Sequence, residues 1–309
     1  MSEREKPSES RSPRILIVGN AGQLGRELEK IFAAVGPVIG VDRESVDLAD
    51  AEQTRALVHS AAPDVILNAA AYTAVDRAES ERDLAFAINE QAPRVLAEEA
   101  AKRNALLVHF STDYVFNGGK PGPWVESDTP NPLNVYGASK LAGEEAVTNA
   151  GGKFLTFRTS WVYGPHGNNF LLTMLRLGRE RDKLSIVDDQ IGAPTTSIQL
   201  ARATHEIVTG ILAGRFGSAP EWAGLYHMTC LGSVSWCGFA KAIFASAGTL
   251  LGGKIPEVTP IPTTAYPTPA KRPQNSVLSN AKLAARFSVE LPQWESALDE
   301  TLKVLKAQA

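Results

Sequence analysis

Cysteine is nearly absent from this chain of 309 residues: Cys230 and Cys237 are the whole supply. Two thiols cannot build a disulfide framework, and the six residues between them match neither a zinc pair nor a redox CxxC. Both are expected to be reduced thiols of a cytoplasmic protein. Long apolar runs are missing too, with no window near the roughly eighteen continuous apolar residues of a membrane span. The opening "MSEREKPSESRSP" (1–13) is polar, carries no signal-like apolar run, and reads as a disordered tail. The net charge is only -3, so no broad basic field invites nucleic acid or an acidic membrane. The five histidines form no HExxH or similar pair, which removes the usual ligands of metal hydrolysis.

What is present is apolar residue in quantity, 44% of the chain, enough for a substantial core. "RILIVG" (14–19), "VIGVD" (38–42) and "DVILNAAA" (64–71) read as strands, separated by helical runs such as "AEQTRALVHSAA". The rhythm continues through one long helix from about 80 to 104, the strand "LLVHFST" (106–112), a further helix and the strand "FLTFRTS" (154–160). Strands with little room for polar residues on either face predict a parallel sheet with helices on both sides. Beyond about 165 the order loosens into helical "NFLLTMLRLGRER", strand-like "LSIV", the loop "DDQIGAPTT", "GLYHMT" and a closing helix "PQWESALDETLKVLKAQ". Six prolines in 254–275 forbid a regular helix or central strand there. The expected division is a first lobe over 14–164 and a smaller substrate lobe over 165–309, with some late segments returning to the first.

"GNAGQLG" sets Gly19, Gly22 and Gly25 as GxxGxxG between the first strand and a helix. There the backbone turns tightly and leaves free amides for a pyrophosphate, the signature of a Rossmann-type dinucleotide site. Asp42, ending the second strand, can accept bonds from an adenosine ribose, as NADH requires; its neighbour Arg43 can face the 2'-phosphate of NADPH. Asp47 either reaches the adenine or caps the next helix.

"NVYGASKLAG" (134–143) places Tyr136 and Lys140 one helical turn apart, on one face. A neighbouring ammonium favours the phenolate and makes the phenol a better acid, and the lysine has donors to spare for a ribose. Gly137 and Ala138 are small enough to leave room for cofactor or substrate against the helix. The strand ending in "FSTDYVF" delivers Ser111, Thr112 and Asp113 to the carboxyl edge of the sheet, where open α/β folds bind ligands. Thr112 can then hold the same substrate oxygen that Tyr136 protonates.

GxxGxxG, a Ser or Thr at the end of the fourth strand and YxxxK together resemble the extended short-chain dehydrogenase/reductase family, over nearly the whole chain. Within it, "NAAAYTAVDRAES", "STDYVFNG", "RTSWVYG", "DDQIGAPT" and "AYPTPAKRPQNS" are similar to the branch that reduces the 4-keto group of a dTDP-linked deoxysugar. The resemblance implies hydride transfer from NADPH or NADH, with Tyr136 as proton donor, Thr112 holding the oxygen and Lys140 supporting tyrosine and cofactor. It places Gly22, Gln23, Leu24, Ala70, Ala71 and Tyr72 along the dinucleotide. Asp113 and Trp161 match sugar-nucleotide contacts, although Trp161 also suits core packing, and Arg272 is the basic candidate for the substrate diphosphate. Some members hold Mg2+ among glutamates at a dimer interface. Glu27 and Glu295 fit two of those positions, but the third falls on Ile198, which cannot ligate, and monomer and homodimer both stay open.

A dehydratase of this fold would carry an acid where Tyr114 stands. An epimerase would return its hydride to the substrate. From another class, a non-catalytic NADP-binding subunit similar to the regulatory subunit of methionine adenosyltransferase is a rival, against which the joint presence of Thr112, Tyr136 and Lys140 counts.

Overall fold

Five runs of apolar residues form the strands β1 (Ile15–Val18), β2 (Val38–Val41), β3 (Val65–Asn68), β4 (Leu106–Thr112) and β5 (Lys153–Thr159) in a computed structural model that describes residues 11–253 and 255–308. β1, β3 and β4 are buried at every position, as strands covered on both faces must be. They lie in one six-stranded sheet ordered β2, β1, β3, β4, β5 and then the strand Gly224–His227, all pairs parallel. β1 pairs with both β2 and β3, so the chain reverses its winding there and opens a crevice at the carboxyl ends of those strands. One face packs Ile17, Leu67, Val108 and Phe157 against Gln23–Phe32 and Ser197–Leu212; the other packs Val18, Ile66 and Leu107 beneath Ala51–Ala61 and Ala92–Lys102.

Several expectations change. The first ten residues of the expected tail lie outside the described residues, but order begins before residue 14. Arg11 donates twice to Asp64, at 2.8 and 2.7 Å, and the Arg14 amide donates to the same carboxylate at 2.7 Å. The single long helix is instead Arg82–Phe86, a π-helical turn Ala87–Gln91, and Ala92–Lys102. Pro93 has no N–H to return to the Asn89 carbonyl four residues back, and the wider turn accommodates that loss. The loop 188–196 contains two short strands, Ile191–Gly192 and Thr195–Thr196. The proline-rich segment holds a strand, Glu257–Ile261, in a separate two-stranded sheet with Lys183–Val187. Each strand there has a free edge, which is where proline is tolerated. Cys230 and Cys237 are buried free thiols. Among the described residues no helix is long and apolar enough to cross a membrane.

Candidate active site

The turn after β1 is built around contacts that exclude side chains. Gly19 adopts φ 88°, and a Cβ on Gly25 would stand 2.0 Å from the Gly19 carbonyl oxygen, so the helix can start this close to the strand only with glycine there. Gly22 occupies the N-cap of Gln23–Phe32 with no side chain over the first amides and no acid in the first turn. This leaves a cradle of free N–H groups that fits a diphosphate. Gln23 is tied at its side-chain oxygen to Asn169, 2.9 Å away, and the Leu24 side chain is buried in the core, so only its backbone is left to face a ligand.

At the end of β2 the Asp42 carboxylate is engaged locally, accepting the Glu44 amide at 3.0 Å, while Arg43 is exposed. Asp47 does not cap the next helix: its carboxylate accepts the Ala49 amide at 2.9 Å, and Asp50 takes the Glu52 and Gln53 amides at the helix start. After β3, Ala70 closes against Gly19. Asn89 binds Tyr72 at both backbone groups, at 2.8 and 3.1 Å, and donates to Ser139 at 2.9 Å, which joins this loop to the helix bearing Tyr136.

That helix, Val135–Ala150, starts at Asn134, whose side chain accepts the Gly137 amide at 2.8 Å and donates to the Lys271 carbonyl at 2.7 Å. Such a cap is worth about 0.5–2 kcal/mol. Gly137 serves packing rather than ligand access, because a Cβ there would lie 2.2 Å from the Tyr114 carbonyl oxygen. Thr112 stands at the carboxyl end of β4, donates to Asp113 at 3.0 Å and accepts the Tyr114 amide at 3.2 Å. Ser111 points to the other side, onto Glu144, which also binds Arg158 at 2.9 and 2.6 Å.

Burial dominates the electrostatics. It pushes the Tyr136 phenol up to about 12, against a hydrogen bond with Thr112 and with help from the Asp113 charge. The expected depression by Lys140 is therefore not what the resting site holds. The Lys140 amine instead donates to the Phe110 carbonyl at 2.6 Å, lies 3.4 Å from His109, and is itself lowered to about 8 by burial, against Glu144. Asp113 is raised to about 6 by burial, opposed by the hydroxyls of Ser276, Thr112 and Ser160.

Trp161 follows β5, with φ 47°, and stacks on Trp236 with ring centres 3.5 Å apart and planes within 7°. Its ring also fills the space a Cβ on Gly192 would need, so packing accounts for its position. Arg272 is not a free guanidinium. It forms a two-bond pair with Asp76 at 3.1 and 2.8 Å and donates to the Ala270 carbonyl at 3.0 Å, holding the Asp76 carboxyl below its usual range. Ile198 is buried in the first turn of its helix and Glu295 is exposed. Among the described residues no three His, Cys, Asp or Glu side chains gather as a metal site.

Sequence reasoning passed over Asn68, Asn89, His109 and Asn134. Asn68 and His109 had a signal: Asn68 ends an otherwise apolar strand, His109 interrupts the apolar run 106–110, both strands are buried on both faces, and the two are register partners. Asn89 had none, since the π turn that aims it depends on packing.

The model of the RmlD substrate binding domain family matches residues 13–307. A dTDP-4-dehydrorhamnose reductase of Burkholderia thailandensis is 47% identical over 302 residues, covering 96% of this chain and 100% of that protein. Its counterpart in Escherichia coli (strain K12) is 43% identical, covering 94% and 97%. The crystal structure of dTDP-4-dehydrorhamnose reductase from Bacillus anthracis in complex with NADP superposes with a TM-score of 0.87 at 36% identity, covering 95% of this chain and 99% of that one.

Proposed function

The chain belongs to the RmlD substrate binding domain family, and on that premise we propose that it reduces the C4 ketone of dTDP-4-dehydro-6-deoxy-L-mannose to dTDP-L-rhamnose. The observation that carries the reading is the hydrogen bond between Thr112 at the end of β4 and Tyr136, with buried Lys140 one turn further along the helix of Tyr136, in a fold whose first strand runs into the glycine cradle. Gly19, Gly22 and Gly25 would hold the diphosphate of NADPH or NADH, with Ala70, Ala71 and Tyr72 alongside. Bound there, the reduced nicotinamide supplies the hydride. Tyr136, which holds its proton firmly at neutral pH, gives it to the oxygen that becomes the C4 hydroxyl, and Thr112 holds that oxygen. Much of the remaining acceleration comes from positioning the ketone against the cofactor.

Asp42 suits the ribose hydroxyls of NADH and the exposed Arg43 the 2'-phosphate of NADPH, so the two residues define the cofactor preference to be measured. The Asp76–Arg272 pair sets the resting state of the loop expected near the substrate diphosphate. The lobe division is proposed as 14–164 and 165–309; a sheet that takes its sixth strand from Gly224–His227 supports the return of a late segment to the first lobe.

The test mixes purified protein with NADPH and dTDP-4-dehydrorhamnose and follows nicotinamide absorbance. Stoichiometric oxidation is expected. No oxidation would reject the reductase reading, and substrate conversion without net cofactor loss would point to an epimerase.

A further inference from the structure

A guanidinium carries five N–H donors in one plane, and the structure accounts for three of those on Arg272. Asp76 closes the end edge: Nη1 donates to its Oδ1 at 3.1 Å and Nη2 to its Oδ2 at 2.8 Å. Nη1 also donates to the Ala270 carbonyl at 3.0 Å. What remains is the side edge, the Nε–H and the second hydrogen of Nη2. No described group accepts from Nε, yet Nε is not among the buried atoms that lack a partner, so solvent reaches this edge. Its two N–H groups run parallel, a fork that matches two oxygens of a phosphate. The carboxylate on the end edge also holds the backbone beside it. Asp76, on the short helix Val75–Ala78 that follows β3, accepts the Ala270 amide at 3.2 Å through the same Oδ1. From the other side Asn134, at the start of the Tyr136 helix, donates to the Lys271 carbonyl at 2.7 Å. The Tyr114 hydroxyl is near enough to act on the Arg272 charge, and the Tyr114 ring stands edge-on to Tyr136 with centres 5.7 Å apart. The guanidinium is therefore about one aromatic ring away from the proton donor. A sugar nucleotide needs such an offset, since its diphosphate at C1 lies across the sugar ring from the C4 ketone.

We propose that Asp76 is a positioning residue for the substrate: it locks the end edge of Arg272 so that the side edge is presented to the diphosphate of the bound nucleotide sugar. The proposal rests on the reductase reading above and adds to it a residue that acts through the arginine without touching substrate. In the rival arrangement Asp76 competes with the diphosphate and has to be displaced from the guanidinium. The geometry does not require that displacement, because carboxylate and phosphate take different edges of one plane and the bonds from Arg272 and Ala270 to Asp76 can persist. The Asp76 charge does repel a phosphate, so the two arrangements predict opposite signs when the carboxylate is removed. A positioning carboxylate leaves a looser arginine that must be ordered at binding. A competing one leaves an arginine that binds more tightly.

Calorimetric titration of dTDP into the intact protein tests this without turnover. Asp76→Asn keeps an oxygen for the Ala270 amide but sets an NH2 against Nη2. The variant is expected to bind dTDP about three- to tenfold more weakly, the cost of ordering one long side chain on binding. Its NADPH affinity should hold, which shows that the fold is intact. In an Arg272→Met background, or Arg272→Lys if the methionine variant loses NADPH, Asp76→Asn should cause no further loss, because its effect runs through the guanidinium. Unmoved or tighter dTDP binding in Asp76→Asn overturns the proposal, as does a parallel fall in NADPH affinity or the full loss repeated in the Arg272 background. If the unaltered protein binds no dTDP, the nucleotide-sugar reading falls and the proposal with it; dTDP binding that Asp76→Asn fails to weaken removes the proposal alone.

Discussion

Glu99 and Asp113 are both buried carboxylates, and their surroundings treat them in opposite ways. Glu99, 1% exposed on the helix Ala92–Lys102, receives Lys102 at 2.7 Å from its own helix and His59 at 2.9 Å and Arg55 from the helix Ala51–Ala61. Burial works to raise its pKa, but those three donors outweigh it and hold the group down to about 2. Asp113 has only hydroxyls and its own backbone, and burial lifts it to about 6; Tyr136 and Lys140 nearby are likewise moved toward their neutral forms. A carboxylate that braces two helices is fully paired with charge. The groups that would meet substrate are left for burial to tune, the pattern expected where protons move.

The sharpest way to break this contrast is Tyr136→Phe. Turnover is expected to fall by about 10²- to 10⁴-fold with NADPH affinity retained, measured as kcat beside a cofactor titration. An unchanged kcat would place the acid elsewhere.

Asp113→Asn probes the same cluster through stability. A carboxyl whose folded pKa is raised gives its stability below its ordinary pKa of 3.8 and loses it as pH rises through about 6. The amide should therefore stabilise the fold by about 3 kcal/mol at neutral pH, with the gain vanishing in acid. Denaturant melts at both pH values read this out, and a gain independent of pH would contradict the cause given.

Glu99→Gln should show the reverse slope. Its depressed pKa contributes stability above the ordinary 4.5, lost as pH falls toward about 2. Since Lys102 and His59 are well exposed and Arg55 partly so, the loss at neutral pH should be only about 1 kcal/mol, and the acid sensitivity of the melt should flatten.

The smallest effect belongs outside both clusters. Arg43→Ala should lower kcat/KM for NADPH about two- to fivefold while sparing NADH, as befits an exposed charge.

Much of the scaffold was readable along the chain. The run "LLVHFST" is strand β4 from first residue to last, and the glycines of "GNAGQLG" stand where the turn requires them. Tyr136 and Lys140 do share one helix. The broken helix at Asn89 escaped because its apolar periodicity continues through the π turn. The contact between Gly137 and the Tyr114 carbonyl escaped because a small residue reads alike whether it admits a ligand or a neighbouring backbone. Arg272 looked available because nothing near it in sequence announces Asp76, 196 positions away.

The sequence by itself determined which segments become strands and helices and which residues lie one turn apart, because those depend on backbone geometry and apolar period over a few residues. Only the tertiary structure decided the charge states. How far Lys140 is moved toward its neutral amine, and whether a carboxylate stays ionised, depends on which distant groups packing brings within a few ångströms and on how much water it removes.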